Sequence, residues 1–394
     1  MTGRGHGTPT DLSAVLSVFR LDARLSRSDV MSRTGLARST VNQRIDALLD
    51  AGLLASTDVG QSTGGRPPGL FEFNRYRGVL LVADVGATAM RIALCDLSGA
   101  VLGEHEVLND VADGPELVLT RVSDHFSELL SVGGRRRDDV LGIGVDVPGP
   151  VDFATGRVVN PPIMTGWDRF DIPGWFRGRF TCPVVVDKDV NAMAVGEFRA
   201  VYPDITDLLV LKVGTGVGSG LVINGSIHRG ADGAAGDIGH IQLSLPDEDG
   251  GPLCRCGNRG CVEAYAGGWA IARDLRAAGR DVSSVDDVID LIRTGDVQAQ
   301  QLLRRAGRIL GRAVADAVNL VNPRVIAVCG QLAHTDDHLL AGIREIVYRR
   351  SLPLATGNLQ IVRTKLGARA GVIGLASLVT DKVFSPARLE RLLT

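Results

Sequence analysis

"GAAGDIGHIQ", residues 233–242, followed shortly by "CRCGNRGCVEAYA", residues 254–266, gathers a histidine, three cysteines and two acids in one short part of the chain. The spacing C-x-C-x4-C lets three sulfurs face one ion, and a structural zinc site takes four ligands, usually Cys with or without His. His240 is the best fourth ligand, because the glycine-rich approach before it can return the chain over the thiols. His228 is the other nearby histidine, while Asp247, Glu248 and Asp249 offer harder oxygen donors. Cys95, Cys182 and Cys329 stand alone in apolar sequence, which suits reduced core thiols and not a disulfide framework.

Around this cluster the chain has 394 residues, long enough for two or three domains, each with its own core. Hydrophobic residues make up 45% and charged residues 22%, and charges or glycines interrupt every apolar stretch before it reaches spanning length, so no membrane partner is expected. The first twenty residues lack the apolar core of a signal peptide, and a cytoplasmic location is expected. A net charge of −2 argues against indiscriminate nucleic-acid binding. Residues 1–80, however, hold ten arginines against seven acids, which permits a DNA-binding module there.

The stretch "SRSDVMSRTGLARSTVNQRIDALLDAGLLAS" has helix-turn-helix spacing. Ser26 and Asp29 form a capping pair, Gly35 marks the turn, and Val41, Ile45, Leu48 and Leu49 share one face of a second helix ending near Gly52. Leu12, Val15, Leu16 and Phe19 supply the stripe of a supporting helix. Arg38, Ser39, Thr40, Asn42, Gln43 and Arg44 occupy the first turns of the recognition helix, where side chains meet base edges and phosphates in the major groove. Ala37 stands at the N-cap without a capping side chain. The glycine-rich loop "TDVGQSTGGRPPGLFEFN" reads as a wing, and Arg66 on its Gly/Pro backbone suits a narrow A·T-rich minor groove.

From about Gly78 short β-branched runs alternate with helical patterns, an α/β grammar. "VLLVADVG", "RIALCDL" and "AVLGEHEV" predict three successive strands, 116–130 and 298–320 predict helices, and a second α/β unit begins near "LLVLKVGTGVGSGLVING".

The two opening segments resemble the signature of the ROK family, which comprises sugar kinases and sugar-responsive repressors. The resemblance implies an N-terminal winged helix-turn-helix followed by a two-lobed α/β domain of actin-like (ribonuclease H-like, hexokinase-type) fold. It divides the chain into a DNA-binding domain with wing and linker (1–77), a small lobe (78–195, completed by C-terminal helices 370–394) and a large lobe (196–369). It assigns one structural zinc to His240, Cys254, Cys256 and Cys261. It assigns sugar contacts to Lys188, Asp189, Asp237, His240 and Glu263, with Asp237 standing where the family usually has glutamate. "DVGAT" (Asp84, Gly86, Thr88) and "VGTGVGSG" (Gly214, Thr215, Gly216, Gly218) are similar to the family's phosphate loops, "VPGPVD" at 147–152 to its next characteristic loop, and Asp189 in "VDKDVNAMAVGE" to the catalytic base of its kinases.

Several residues depart from the kinase pattern. Ala87 puts a methyl where backbone N–H groups should approach phosphate, and Lys188 stands where kinases have asparagine, beside Asp189. "AVCGQ" departs from the glycine-rich turn under the adenine. The expected protein is therefore a sugar-responsive regulator of carbohydrate genes without ATP as cofactor. Operator DNA and a sugar or sugar-phosphate effector are its expected partners, and a homodimer or tetramer its expected assembly. An ATP-dependent sugar kinase is the alternative.

Overall fold

The computed structural model describes residues 11–21, 24–57, 69–243 and 250–392, so Arg66 and the acids at 247–249 lie outside the described residues. The first domain runs α1 (Asp11–Leu21), β1 (Leu25–Ser26), α2 (Arg27–Thr34), α3 (Arg38–Asp50), β2 (Leu54–Thr57) and β3 (Leu70–Phe73). Helix α2 starts at a reciprocal cap: Ser26 N–H donates to Asp29 Oδ2 at 2.8 Å and Asp29 N–H to Ser26 Oγ at 3.2 Å. It stops at Gly35, whose φ of +68° closes the turn into α3. Val41, Ile45 and Leu48 of α3 bury against Leu12, Val15, Leu16 and Phe19 of α1, while Leu49 is only half-buried. Ala37 makes no side-chain cap. Arg27 braces α3, donating from Nη1 to Asn42 O and Oδ1 at 3.2 Å and pairing through Nη2 with Asp46 at 2.6 Å. Strands β2 and β3 pair antiparallel from Leu54↔Phe73 to Thr57↔Leu70, and β1 lies on the other edge of β3.

The first lobe contains β4 (Val79–Val85), β5 (Ala89–Asp96), β6 (Val101–Leu108), α4 (Pro115–Val132), β7 (Val140–Val147), the short hairpin β8 (Val151–Asp152) and β9 (Arg157–Val158), α5 (Ile172–Arg177) and β10 (Val184–Lys188). Its sheet order is β10-β7-β4-β5-β6, with β4–β6 antiparallel and β4, β7 and β10 parallel. Helix α6 (Asp189–Val201) leads to the second lobe, with β11 (Leu208–Val213), β12 (Val217–Ile223), β13 (Ser226–His228), α7 (Val262–Ala266), α8 (Gly268–Ala277), α9 (Val285–Arg293), α10 (Val297–Val321), β14 (Val325–Cys329), α11 (Gln331–Thr335), α12 (His338–Arg350), α13 (Pro353–Thr356) and β15 (Gln360–Arg363). Its sheet order is β13-β12-β11-β14-β15, again three antiparallel strands continued by two parallel ones. The two lobes thus repeat one topology.

Helix α14 (Ala370–Val383) returns to the first lobe, covers β4 and β7 and crosses α6; α15 (Pro386–Leu392) follows it. The crossing is close because it has no Cβ: a methyl at Gly374 would fall on the Ala192 carbonyl, and one at Gly196 on the Ala370 carbonyl. Position 195, the expected junction between lobes, falls inside α6, which packs on both α14 and β12. A single apolar cluster joins Leu12, Phe19, Val41 and Phe71 of the first domain to Leu80, Leu375, Val379 and Phe384 of the lobe and its C-terminal helices. Phe73 and Phe384 meet edge to face at 5.6 Å, and the Arg20 guanidinium lies 5.2 Å from the Phe384 ring.

Candidate functional site

A cleft of about 370 Å3 opens between the lobes, within the range of small-molecule sites. It lies at the carboxyl ends of the parallel strands, where open α/β sheets bind ligands. Asp84 is the penultimate residue of β4, Lys188 ends β10, Asp189 begins α6 and Lys212 approaches the end of β11. The structure brings Lys188, Asp189, Asp237, His240 and Glu263 onto its wall, together with Asp84, Gly86, Thr88, Gly214, Thr215, Gly216 and Gly218.

The ion pairing differs from the sequence expectation. Lys188 does not engage Asp189; its Nζ pairs with Asp237. Asp189 Oδ2 instead accepts from Lys212 Nζ at 2.5 Å, and Asp189 Oδ1 from Val190 N–H at 2.6 Å. Neighbours in sequence point apart where a strand passes into a helix, so adjacency of 188 and 189 did not make them partners. Lys212 was missed, although a lone cation inside the apolar strand "LLVLKV" was a signal for it.

Behind this pair sits Asp146, also missed. It is fully buried, Oδ1 accepts from Val85 N–H at 3.2 Å, and Oδ2 has no hydrogen-bond partner among the described residues. Burial, then the nearby Asp84 and Asp189, push the Asp146 carboxyl well above the usual carboxylate range. Burial also raises Asp84, partly offset by Lys212. Burial alone would lower Lys212, but Asp189 and Asp84 more than offset it, and the ammonium is held above its ordinary value. One cation thus faces several buried carboxyls, and the Asp146 carboxyl is biased toward its protonated form.

Glu263, only 9% exposed, supports the second glycine loop: Oε2 accepts from Val217 N–H at 2.9 Å and Oε1 from Trp269 Nε1–H at 3.2 Å. A Cβ at Gly216 would come within 2.6 Å of Oε2, so a side chain there would have to push the carboxylate off the loop. Ala87 packs on the first lobe's core while lining the cleft. Gly330, at φ +92°, leaves no room for a Cβ against the Val213 carbonyl. Arg229, just past β13, donates to buried Asp187 at 2.9 and 2.6 Å and stacks 3.7 Å from the Phe153 ring, latching one lobe to the other. Trp167 is buried, donating to Val111 O at 2.9 Å; Trp175 donates to Glu116 at 2.8 Å, and Trp269 lines the cleft.

His240, Cys254, Cys256 and Cys261 form a tetrad whose ligand atoms lie within 4.8 Å of one another. His240 Nδ1 is 3.8 Å from Cys254 Sγ, and Cys256 Sγ is 3.7 Å from Cys261 Sγ. Those separations suit a tetrahedral ion about 2.3 Å from each sulfur. His228 is exposed and outside the tetrad. His240 touches both tetrad and cleft, so the loop that can hold a metal also shapes the pocket.

On the recognition helix Arg38, Ser39 and Gln43 are exposed, while Thr40, Asn42 and Arg44 are half-buried. Among the described residues no helix is long and apolar enough to cross a membrane.

A ROK family profile matches residues 80–382, and a winged helix-turn-helix DNA-binding profile matches residues 13–55. The xylose repressor of Bacillus spizizenii is 30% identical over 360 residues, covering 91% of each chain. A solved ROK family transcriptional regulator, described as a homologue of the E. coli MLC protein, superposes with a TM-score of 0.83 at 26% identity, covering 99% of this chain and 100% of that one. A ROK family glucokinase from Streptomyces griseus, solved with glucose and AMPPNP, matches with a TM-score of 0.63 at 28% identity, covering 77% of this chain and 99% of its own. With the family's profile matched over residues 80–382 and the cleft, glycine loops and Cys/His tetrad all in place, the chain belongs to the ROK family.

Proposed function

We propose that the protein is a sugar-responsive, DNA-binding transcriptional repressor of carbohydrate uptake or catabolism genes. The observation that carries this reading is the continuous core from the recognition helix to α14, which crosses α6, the helix whose first residue is Asp189 in the cleft. A ligand that bonds to Asp189, Asp237, His240 and Glu263 favours one angle between the lobes, and α6 with α14 carries that angle to the first domain. In a dimer or tetramer two recognition helices must reach major-groove faces about 34 Å apart, so a small rotation releases the operator. Arg38, Ser39, Thr40, Asn42, Gln43 and Arg44 are the proposed DNA contacts, with Arg66 of the wing in the minor groove. Zinc is the proposed occupant of His240, Cys254, Cys256 and Cys261, where it fixes the loop that presents His240 and Glu263.

Phosphoryl transfer is the weaker reading. A catalytic base must accept a proton from the attacking hydroxyl, and here Asp189 has one oxygen held by Lys212 and the other by Val190 N–H. The test is fluorescence anisotropy of promoter DNA with a panel of sugars and sugar phosphates. One of them should weaken operator binding, and Arg38→Ala should lower specific affinity by about 1–3 kcal/mol while salt weakens binding steeply. Unchanged promoter affinity in Arg38→Ala combined with Arg66→Ala would refute the DNA assignment; ATP turnover lost in Asp189→Asn would favour the kinase.

A further inference from the structure

A second group of ligand atoms lies on the first lobe, away from the cleft wall. His105 stands on the edge strand β6, and His125 and Glu128 stand three residues apart on α4, so they share one face of that helix. His105 Nδ1 and His125 Nδ1 are 3.1 Å apart, and Glu128 Oε2 lies 3.7 Å from the first and 3.4 Å from the second. The imidazoles meet edge to face at 5.2 Å, with both Nδ1 atoms on the side of the carboxylate. A hydrogen bond between two neutral imidazoles accounts for the shortest edge of this triangle. It does not account for a carboxylate placed beside both rings at distances longer than a good hydrogen bond.

A metal ion accounts for all three edges. An ion seated over the triangle stands about 2.1 Å from each atom with the donors near tetrahedral spacing, the distance zinc takes to imidazole nitrogen and carboxylate oxygen. Two nitrogens and one oxygen select a first-row transition ion over magnesium or calcium, which prefer oxygen. Both histidines are about a quarter exposed and Glu128 is 59% exposed, so solvent can supply the fourth ligand.

We infer that His105, His125 and Glu128 form a second metal site, distinct from the Cys/His tetrad, that binds a zinc-like divalent ion. The ion staples the edge strand β6 to α4. The opposite face of β6 carries Glu104, bonded to Arg369 at 2.8 Å, and Glu106, which lines the cleft, so the staple stiffens a strand that reaches the pocket.

The experiment is equilibrium dialysis of the full chain against zinc chloride, followed by elemental analysis. Two zinc ions per chain are expected for the wild type, and one for His105→Ala and for His125→Ala. Blocking the thiols of the wild type with an organic mercurial should then release one of the two and leave the other bound. This second measurement decides the matter even if a histidine variant fails to fold. One zinc in the wild type, two in both histidine variants, or none retained after thiol blocking would each overturn the site.

Discussion

Lys212 Nζ, from β11 of the second lobe, donates to Asp189 Oδ2 at the start of α6 at 2.5 Å, and the lysine is 28% and the aspartate 7% exposed. Removing one partner of such a pair leaves the other charge in a low-dielectric wall, typically at about 3–5 kcal/mol for a fully buried pair. Lys212 retains some solvent, so Lys212→Met is expected to lower unfolding stability by about 2–3 kcal/mol. The double variant with Asp189→Asn should recover most of that loss. Because Lys212 is raised above its ordinary value, its contribution is complete below the normal lysine range and fades only as pH climbs through the raised value. A double-mutant cycle by urea denaturation at pH 7 therefore reads the full coupling. Additive single losses would show that the pair is not coupled.

Asp146 makes the opposite contribution. Folding raises its carboxyl pKa, so the native state loses stability as pH climbs from the ordinary carboxylate range through the raised value. Asp146→Asn keeps the shape, keeps an acceptor for Val85 N–H and offers a permanent donor toward Asp84. It is expected to raise Tm at pH 7–8, by about 2–4 °C for each kcal/mol regained. The gain should shrink toward pH 4, and thermal melts across that range would check it. A lower Tm at pH 8 would mean that Asp146 is ionised in the native state and paired.

Much of this was legible from residues that act locally. The Ser26–Asp29 cap, the Gly35 turn and the Val41–Ile45–Leu48 stripe depend on neighbours three or four positions away, and the structure reproduces them. The C-x-C-x4-C spacing likewise keeps its ligands close in sequence. What could not be read was pairing across the cleft. Lys188 and Lys212 are separated by α6, and which of them meets Asp189 is decided by the apposition of two sheets. The core linking Phe73 to Phe384 joins positions three hundred residues apart, for which no periodic pattern exists. His105 and His125 belong to a strand and a helix whose contact only the tertiary fold creates.

The α6–α14 crossing yields a packing test. Gly374→Ala would place its methyl on the Ala192 carbonyl, backbone that cannot step aside without moving the start of α6. Overpacking of this kind costs about 1–3 kcal/mol. Denaturation should show that loss, and calorimetry should show weaker effector binding, since Asp189 begins the displaced helix. An exposed-site control, Gly279→Ala, has nothing within 4 Å of its new methyl but sits at φ +82°. It should lose only the backbone term and leave effector binding unchanged.

The proposed route from cleft to DNA runs through Phe384, which meets Phe73 edge to face and lies under Arg20 of α1; Arg20 also reaches Asp381 at 3.8 Å. Phe384→Leu keeps an apolar filler but removes the aromatic contact and the cation–π contact, each worth about 0.5–1.5 kcal/mol. Neither the recognition helix nor the cleft wall is touched by this change. Operator affinity without effector and effector affinity without DNA should therefore stay within about twofold of wild type, in line with distant, independent sites. The coupling between them should fall. Allosteric coupling of about 1–3 kcal/mol corresponds to a 5–150-fold loss of operator affinity on effector binding, and in the variant that ratio should move toward one. Anisotropy titrations with and without saturating effector measure it directly. An unchanged ratio would place the transmission elsewhere, in the packing of α15 on α1 or in the covalent connection from β3 to β4.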